Sequence, residues 1–161
     1  ADYRRKGTVE TLVAIMKYNG GRIRREEICS ILEVRIALDT LIARLSIPII
    51  TDEEIQILFE KVDAIQNTTN VQKAIEAAFA FQHEFALSSK NTLIPLIFQS
   101  FHAPIFTMWE RFCELYGIET LYNRNYTMWT YIKNRDTQGA VDWIEHSLKQ
   151  CIDGDTQIYF D

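Results

Sequence analysis

Apolar residues recur every three or four positions along most of the chain, and this spacing constrains the fold more than any other feature. Residues at these intervals lie on one face of an α-helix, whereas a half-buried strand alternates apolar and polar residues. Helix-breaking residues are few, with six glycines and three prolines in 161 residues. The pattern predicts an all-α protein: an antiparallel bundle of about seven helices around one core, without a strand.

Local signals in the sequence predict where the helices begin and end. Thr51 followed by Glu54 has the pattern of a capping box, and Asn70 and Asp136 are typical N-cap residues. Gly117 is a typical helix end, because glycine readily adopts the backbone conformation that a helix end needs. The predicted helices span residues 8–18, 22–46, 51–66, 71–88, 92–101, 103–116, 119–134 and 136–152.

Composition excludes several classes of protein. The formal net charge of -5 makes it unfavourable for this chain alone to bind a phosphate backbone. No run of about 18 apolar residues occurs, so no membrane-spanning helix is predicted. The cysteines Cys29, Cys113 and Cys151 are odd in number and far apart, which is typical of reduced thiols. We therefore expect a cytoplasmic protein without a membrane partner.

Four polar side chains interrupt the apolar stripes of four predicted helices: Arg35, Gln82, Asn125 and Ser147. A charged group on a core-facing stripe is costly unless it is paired, so Arg35 is either half of a structural ion pair or an anion-binding group. The other three are either satisfied core groups or lining residues of one polar cavity. Four such groups on four helices favour a shared cavity, although the spacing alone does not bring them together.

Aromatic side chains and possible nucleophiles have plain structural interpretations as well as functional ones. Phe79, Tyr126, Trp129 and Trp143 are suited to form cavity walls, but simple core packing is the favoured explanation for them. The cysteines and serines occur without a nucleophile elbow or a recognisable base, and no metal-protease or phosphate-binding motif occurs. An enzyme is therefore the weaker hypothesis.

Three segments together resemble a known family. Residues 30–46 contain an acidic, an apolar and an arginine residue, followed by leucine and a second acidic residue. In this sequence the motif is formed by Glu33, Val34, Arg35, Leu38 and Asp39. Residues 77–97 contain the ending Ser89-Lys90-Asn91, and residues 125–148 correspond to two final helices. In order and spacing these segments resemble the ligand-binding domain of GntR-type transcription regulators, in the FadR branch.

This resemblance implies the domain organisation and the partners. Residues 1–21 would be the linker helix that follows an N-terminal winged-helix domain, and residues 22–161 would form the effector-binding and dimerisation bundle. Such regulators are homodimers that bind DNA through a domain not present in this chain. A small-molecule effector in the bundle core would change how tightly the regulator binds its DNA operator.

The resemblance also bears on the chemistry of the site. Many members bind a divalent metal through one Asp and three His, and those positions fall here on Ala78, Gln82, Asn125 and Ser147. Because an alanine, two amides and a hydroxyl are poor ligands, we predict neither a metal nor a cofactor. FadR-type members bind fatty acyl-coenzyme A instead, so the expected effector is a carboxylate or an acyl-coenzyme A-like molecule.

Within that site, each residue has an expected role. Arg35 would pair with an anionic group, and Gln82, Asn125 and Ser147 would orient the effector through hydrogen bonds. Ala78 would leave room for it, and Trp129 would form part of the wall. The alternatives are a structural dimerisation module with a vestigial cavity and, less favoured, a small all-α enzyme.

Overall fold

The computed structural model describes residues 8, 10, 11, 14 and 24–158. Within residues 24–158 the chain forms six helices and no strand, which confirms the predicted fold class. Their bounds are α1 Arg25–Ser46, α2 Asp52–Gln66, α3 Val71–Leu87, α4 Ile94–Ser100, α5 His102–Lys133 and α6 Thr137–Asp153. The predicted helix at 8–18 and the predicted linker at 1–21 lie almost entirely outside the described residues.

Three helix starts have the predicted caps. The backbone N–H of Glu54 donates to the Thr51 hydroxyl at 3.1 Å, and the Glu54 carboxylate accepts from the Thr51 N–H at 3.3 Å. The Asn70 side chain accepts from the backbone of the third residue of α3, and Asp136 does the same at the start of α6. These bonds satisfy backbone donors that have no partner within the helix, so they fix where each helix begins.

Gly117 divides α5 into an N-terminal arm, residues 102–116, and a C-terminal arm, residues 118–133. Its φ of 86° and ψ of 162° lie in a region that is essentially restricted to glycine. The predicted break between two helices at this residue is therefore confirmed.

Helix α5 is the central element of the packing. It contacts α2, α3 and α6, while α1 packs against α6 and α3. The short loops of residues 67–70 and 134–136 join α2 to α3 and α5 to α6, so each of these contacting pairs is antiparallel. One continuous hydrophobic core results, and it includes Phe81, Phe98, Ile105 and Met108.

Candidate functional site

A cavity of about 100 Å³ lies inside the bundle, between α1, α3, α5 and α6. Its lining includes Arg35 from α1, Gln82 from α3, Asn125 from α5 and Ser147 from α6. These four residues were predicted from the sequence, because each interrupts an apolar stripe. The fold brings all four to one place, whereas the stripes alone could not show that they converge.

Three of these side chains form a continuous chain of hydrogen bonds across three helices. The Arg35 Nη2 donates to Gln82 Oε1 at 2.9 Å, and Gln82 Nε2 donates to Asn125 Oδ1 at 3.0 Å. Asn125 Nδ2 then donates to the backbone carbonyl of Leu121 at 2.8 Å. Arginine can only donate and a backbone carbonyl can only accept, so the two ends of the chain fix the orientation of both amides.

Arg35 carries the charge at this end of the cavity. Its side chain is 3% exposed, and Nη2 also donates to Asp39 Oδ2 at 3.0 Å in an ion pair one helical turn away. The Arg35 Nε is buried and has no hydrogen-bond partner. A guanidinium has five N–H donors, and two acceptors on the protein leave part of that capacity unused. Arg35 is therefore both half of an ion pair and a donor group in the cavity wall.

Among the described residues, Asp39 is the one carboxylate in the lining of the cavity. Burial raises the pKa of its carboxyl, and the charge and hydrogen bond of Arg35 offset this effect only in part. Desolvation disfavours the ionised form of a carboxyl group, which explains the direction of the shift.

The rest of the cavity wall is largely apolar. Trp109 and Phe112 from the N-terminal arm of α5, Phe81 from α3 and Trp143 from α6 contribute aromatic surface. The Arg35 guanidinium lies 5.7 Å from the centre of the Trp109 ring, within the range of a cation–π interaction. Apolar walls with a few polar groups are typical of small-molecule sites.

Arg124 is a second cation in the cavity wall, and it was not among the site residues predicted from the sequence. It comes from the C-terminal arm of α5, and its guanidinium lies 5.0 Å from the centre of the Phe112 ring. Nη1 donates to the Ser147 backbone carbonyl at 2.8 Å, and Nη2 donates to the Thr156 hydroxyl at 2.7 Å. A signal was present, because Arg124 directly precedes the polar Asn125, but it lies off the apolar stripe.

Residues 154–158 run along one side of the cavity, and we call them the C-terminal strap. Ile158 is 2% exposed and lines the cavity. Besides the Arg124 bond to Thr156, the Tyr116 hydroxyl donates to the backbone carbonyl of Gln157 at 2.7 Å. Both anchors come from α5, one on each side of Gly117. The strap therefore contributes Ile158 to the cavity wall and is bonded to both arms of α5.

Two of the six predicted site residues lie outside the lining of this cavity. Ala78 is fully buried in the hydrophobic core. The indole N–H of Trp129 donates to the backbone carbonyl of Ile55 at 3.1 Å, and its ring packs against Phe59 with ring centres 5.0 Å apart. Trp129 thus connects α5 to α2, and it is Trp143 instead that lines the cavity.

The four positions that correspond to metal ligands do not fit a divalent cation. Ala78 has no donor atom, and Gln82 already accepts a hydrogen bond from a guanidinium, so a fixed positive charge lies beside it. Across the described residues, no group of three or more His, Cys, Asp or Glu side chains is arranged to hold a metal ion. His83 instead packs among aromatic rings, and His146 packs beside Trp143.

Comparison with known families decides the identity of the domain. Residues 30–150, most of the chain, match the family model of the FCD domain. The chain belongs to the FCD domain family. This assignment confirms the resemblance at the level of the domain, and membership of the FadR branch stays a prediction.

A solved structure has the same fold as this FCD domain. A chain of E. coli McbR/YncC aligns with a TM-score of 0.68 and 13% sequence identity, and the alignment covers 81% of this chain and 68% of that one. At this identity the likeness establishes the fold alone. No curated protein sequence matches the chain significantly. Within the described residues, no helix has both the length and the apolar character needed to cross a membrane.

Proposed function

We propose that this FCD domain is the effector-binding domain of a DNA-binding transcription regulator and that its effector is a small organic anion held in the bundle cavity. The observation that carries the proposal is the chain from Arg35 through Gln82 to Asn125, which places a buried cation and two oriented amides on the wall of one cavity. The proposed role of the domain is binding rather than catalysis.

The size of the cavity favours a small carboxylate over an acyl-coenzyme A. A cavity of roughly 150 Å³ holds one benzene molecule, and sites for drug-sized ligands measure about 300–1,000 Å³. The cavity here measures about 100 Å³. It therefore suits a molecule of only a few non-hydrogen atoms, with its carboxylate at Arg35.

Thermal denaturation with a panel of short carboxylates and one fatty acyl-coenzyme A tests the proposal. A ligand at about 100 times its Kd stabilises the native state by roughly 2.7 kcal/mol, which raises the Tm of a domain this size by roughly 5–10 °C. We expect short carboxylates to give this shift in the unaltered protein. Gln82→Leu should abolish it, because it breaks the hydrogen-bond chain.

Trp129→Phe is the matched control, since Trp129 is buried but lies outside the cavity wall, and its ligand-induced shift should be retained. A shift with acyl-coenzyme A alone would refute the small-anion class. No shift with any compound would favour the structural module with a vestigial cavity.

We also propose that the domain forms a homodimer through the outer face of α1. Val34, Leu41 and Leu45 are between 38% and 49% exposed, and with Leu38 they form a stripe with coiled-coil spacing. If two copies of α1 pair antiparallel, Val34 meets Leu45 of the second copy and Leu38 meets its Leu41.

The mass of the protein in solution tests this pairing. Leu41→Glu puts a charge at the centre of the stripe and should give a monomer by light scattering after size-exclusion chromatography. Ile57→Glu is the control, because Ile57 is 41% exposed on α2, away from the stripe. An unaltered protein that is monomeric at high concentration would refute the dimer. DNA binding would belong to a domain outside this chain, joined through residues 1–21.

A further inference from the structure

Two guanidinium groups from different helices face the same cavity. Arg35 lies over Trp109 and Arg124 lies over Phe112. Trp109 and Phe112 are three residues apart on the N-terminal arm of α5, and residues at this spacing are neighbours on one face, with Cβ atoms about 5–6 Å apart. The aromatic pair thus places the two cations on adjacent turns of one wall.

The two cations differ in how their charge is balanced. Arg35 has Asp39 as an ion-pair partner. The acceptors of Arg124 are all uncharged: the Ser147 carbonyl, the Thr156 hydroxyl and, at 3.6 Å, the Cys151 sulfur. Within the part of the chain that the structure describes, no carboxylate pairs with Arg124. A half-buried cation without a counter-charge is unfavourable, and an anionic ligand would relieve that cost.

On the basis of the proposed function, we propose that the ligand is a short dicarboxylate, with one carboxylate at Arg35 and the other at Arg124. Each guanidinium can receive one carboxylate, because Arg35 has a donor without a partner and Arg124 has only uncharged acceptors. Charge-assisted hydrogen bonds from arginine to carboxylate are among the stronger polar contacts in proteins. The apolar wall between the cations suits the short methylene chain of such a molecule.

The bond from Arg124 to Thr156 links this second carboxylate position to the C-terminal strap. Nη2 of Arg124 carries two N–H groups and donates one of them to the Thr156 hydroxyl, so a carboxylate at this nitrogen would lie beside the strap. Arg124 is therefore the specificity-determining residue for a second negative charge, and the Thr156 hydroxyl helps to hold its guanidinium in position.

Calorimetric titration with matched acids tests the inference: malonate against propionate, and succinate against butyrate. Within each pair the chain length is equal and only the second carboxylate differs. We expect at least one dicarboxylate to bind about tenfold or more tightly than its partner, which is the effect of one charge-assisted hydrogen bond. Arg124→Met should remove the difference between the two acids, whereas Arg124→Lys should keep part of it.

Thr156→Val separates ligand binding from a structural role of Arg124. It removes the strap bond but keeps the guanidinium, so the preference for the dicarboxylate should persist or increase. An equal loss of preference in Thr156→Val and Arg124→Met would overturn the inference, because Arg124 would then act only by anchoring the strap. Equal binding of mono- and dicarboxylates by the unaltered protein would also overturn it but would leave the proposed small-anion site intact. Binding of neither acid would instead refute that site.

Discussion

Replacing Arg35 with methionine separates the two roles that the sequence leaves open for this residue. Methionine is unbranched and flexible, so it fills most of the space without the charge. The change leaves Asp39 without its ion-pair partner and Gln82 Oε1 without its donor. Removing one partner of a buried pair costs about 3–5 kcal/mol, but Asp39 keeps 15% exposure and water will solvate it in part. We therefore expect a loss of about 2–4 kcal/mol in the free energy of unfolding.

Urea denaturation at neutral pH, followed by far-ultraviolet circular dichroism, measures this loss, and the double variant Arg35→Met, Asp39→Asn is its control. Removing both charges leaves no uncompensated ion, so the double variant should recover at least half of the lost stability. An unchanged m-value would show that the denatured state is not altered. If Arg35→Met is as stable as the unaltered protein, or more stable, the ion pair does not hold the fold and the guanidinium serves the ligand alone.

Three further substitutions test separate parts of the structure. Because the pKa of Asp39 is raised in the folded state, its contribution to stability is complete below the usual aspartate pKa of about 3.9 and is lost as the pH rises through the raised value. Asp39→Asn should therefore gain stability relative to the unaltered protein as the pH rises above about 4 in urea titrations, and a pH-independent difference would contradict this. Gly117→Ala should cost about 1–3 kcal/mol through backbone strain alone, since a Cβ there meets no atom within 4 Å; a neutral effect in thermal denaturation would show that the arms readjust. Trp129→Phe should cost about 1–2 kcal/mol through loss of the bond to the Ile55 carbonyl, and a change in ligand affinity by calorimetry would contradict its place outside the cavity wall.

Periodicity and capping residues predicted the fold because they report local physics. Thr51, Asn70 and Asp136 satisfy helix donors within three residues of themselves, so their role depends little on the rest of the chain. The break at Gly117 is likewise predictable from the sequence, because few other residues tolerate its backbone angles. Such signals identify the helices and their ends without knowledge of how the helices pack.

The candidate site was only partly predictable, because it depends on packing. Arg35 and Asn125 were found because a polar residue on an apolar stripe is visible in sequence. Arg124 is one residue from Asn125, about 100° around the helix, and it reaches the cavity only because α6 and the strap lie beside it. Trp129 shares the stripe of Asn125, but the partner that holds its indole is a carbonyl on α2. Ile158 belongs to a segment without periodicity, so nothing in the sequence indicates its burial.

The fixed orientation of Gln82 gives the hydrogen-bond chain inside this domain one direction, with donors pointing from α1 toward α5. Its oxygen faces a group that only donates, and its nitrogen faces an oxygen held in place by the Asn125 bond to Leu121. A glutamate at this position would set two acceptors against each other at the α5 side, and a lysine would set two donors against each other at the α1 side. A ligand group that takes the place of Gln82 must meet the same demand, with an acceptor toward Arg35 and a donor toward Asn125 Oδ1.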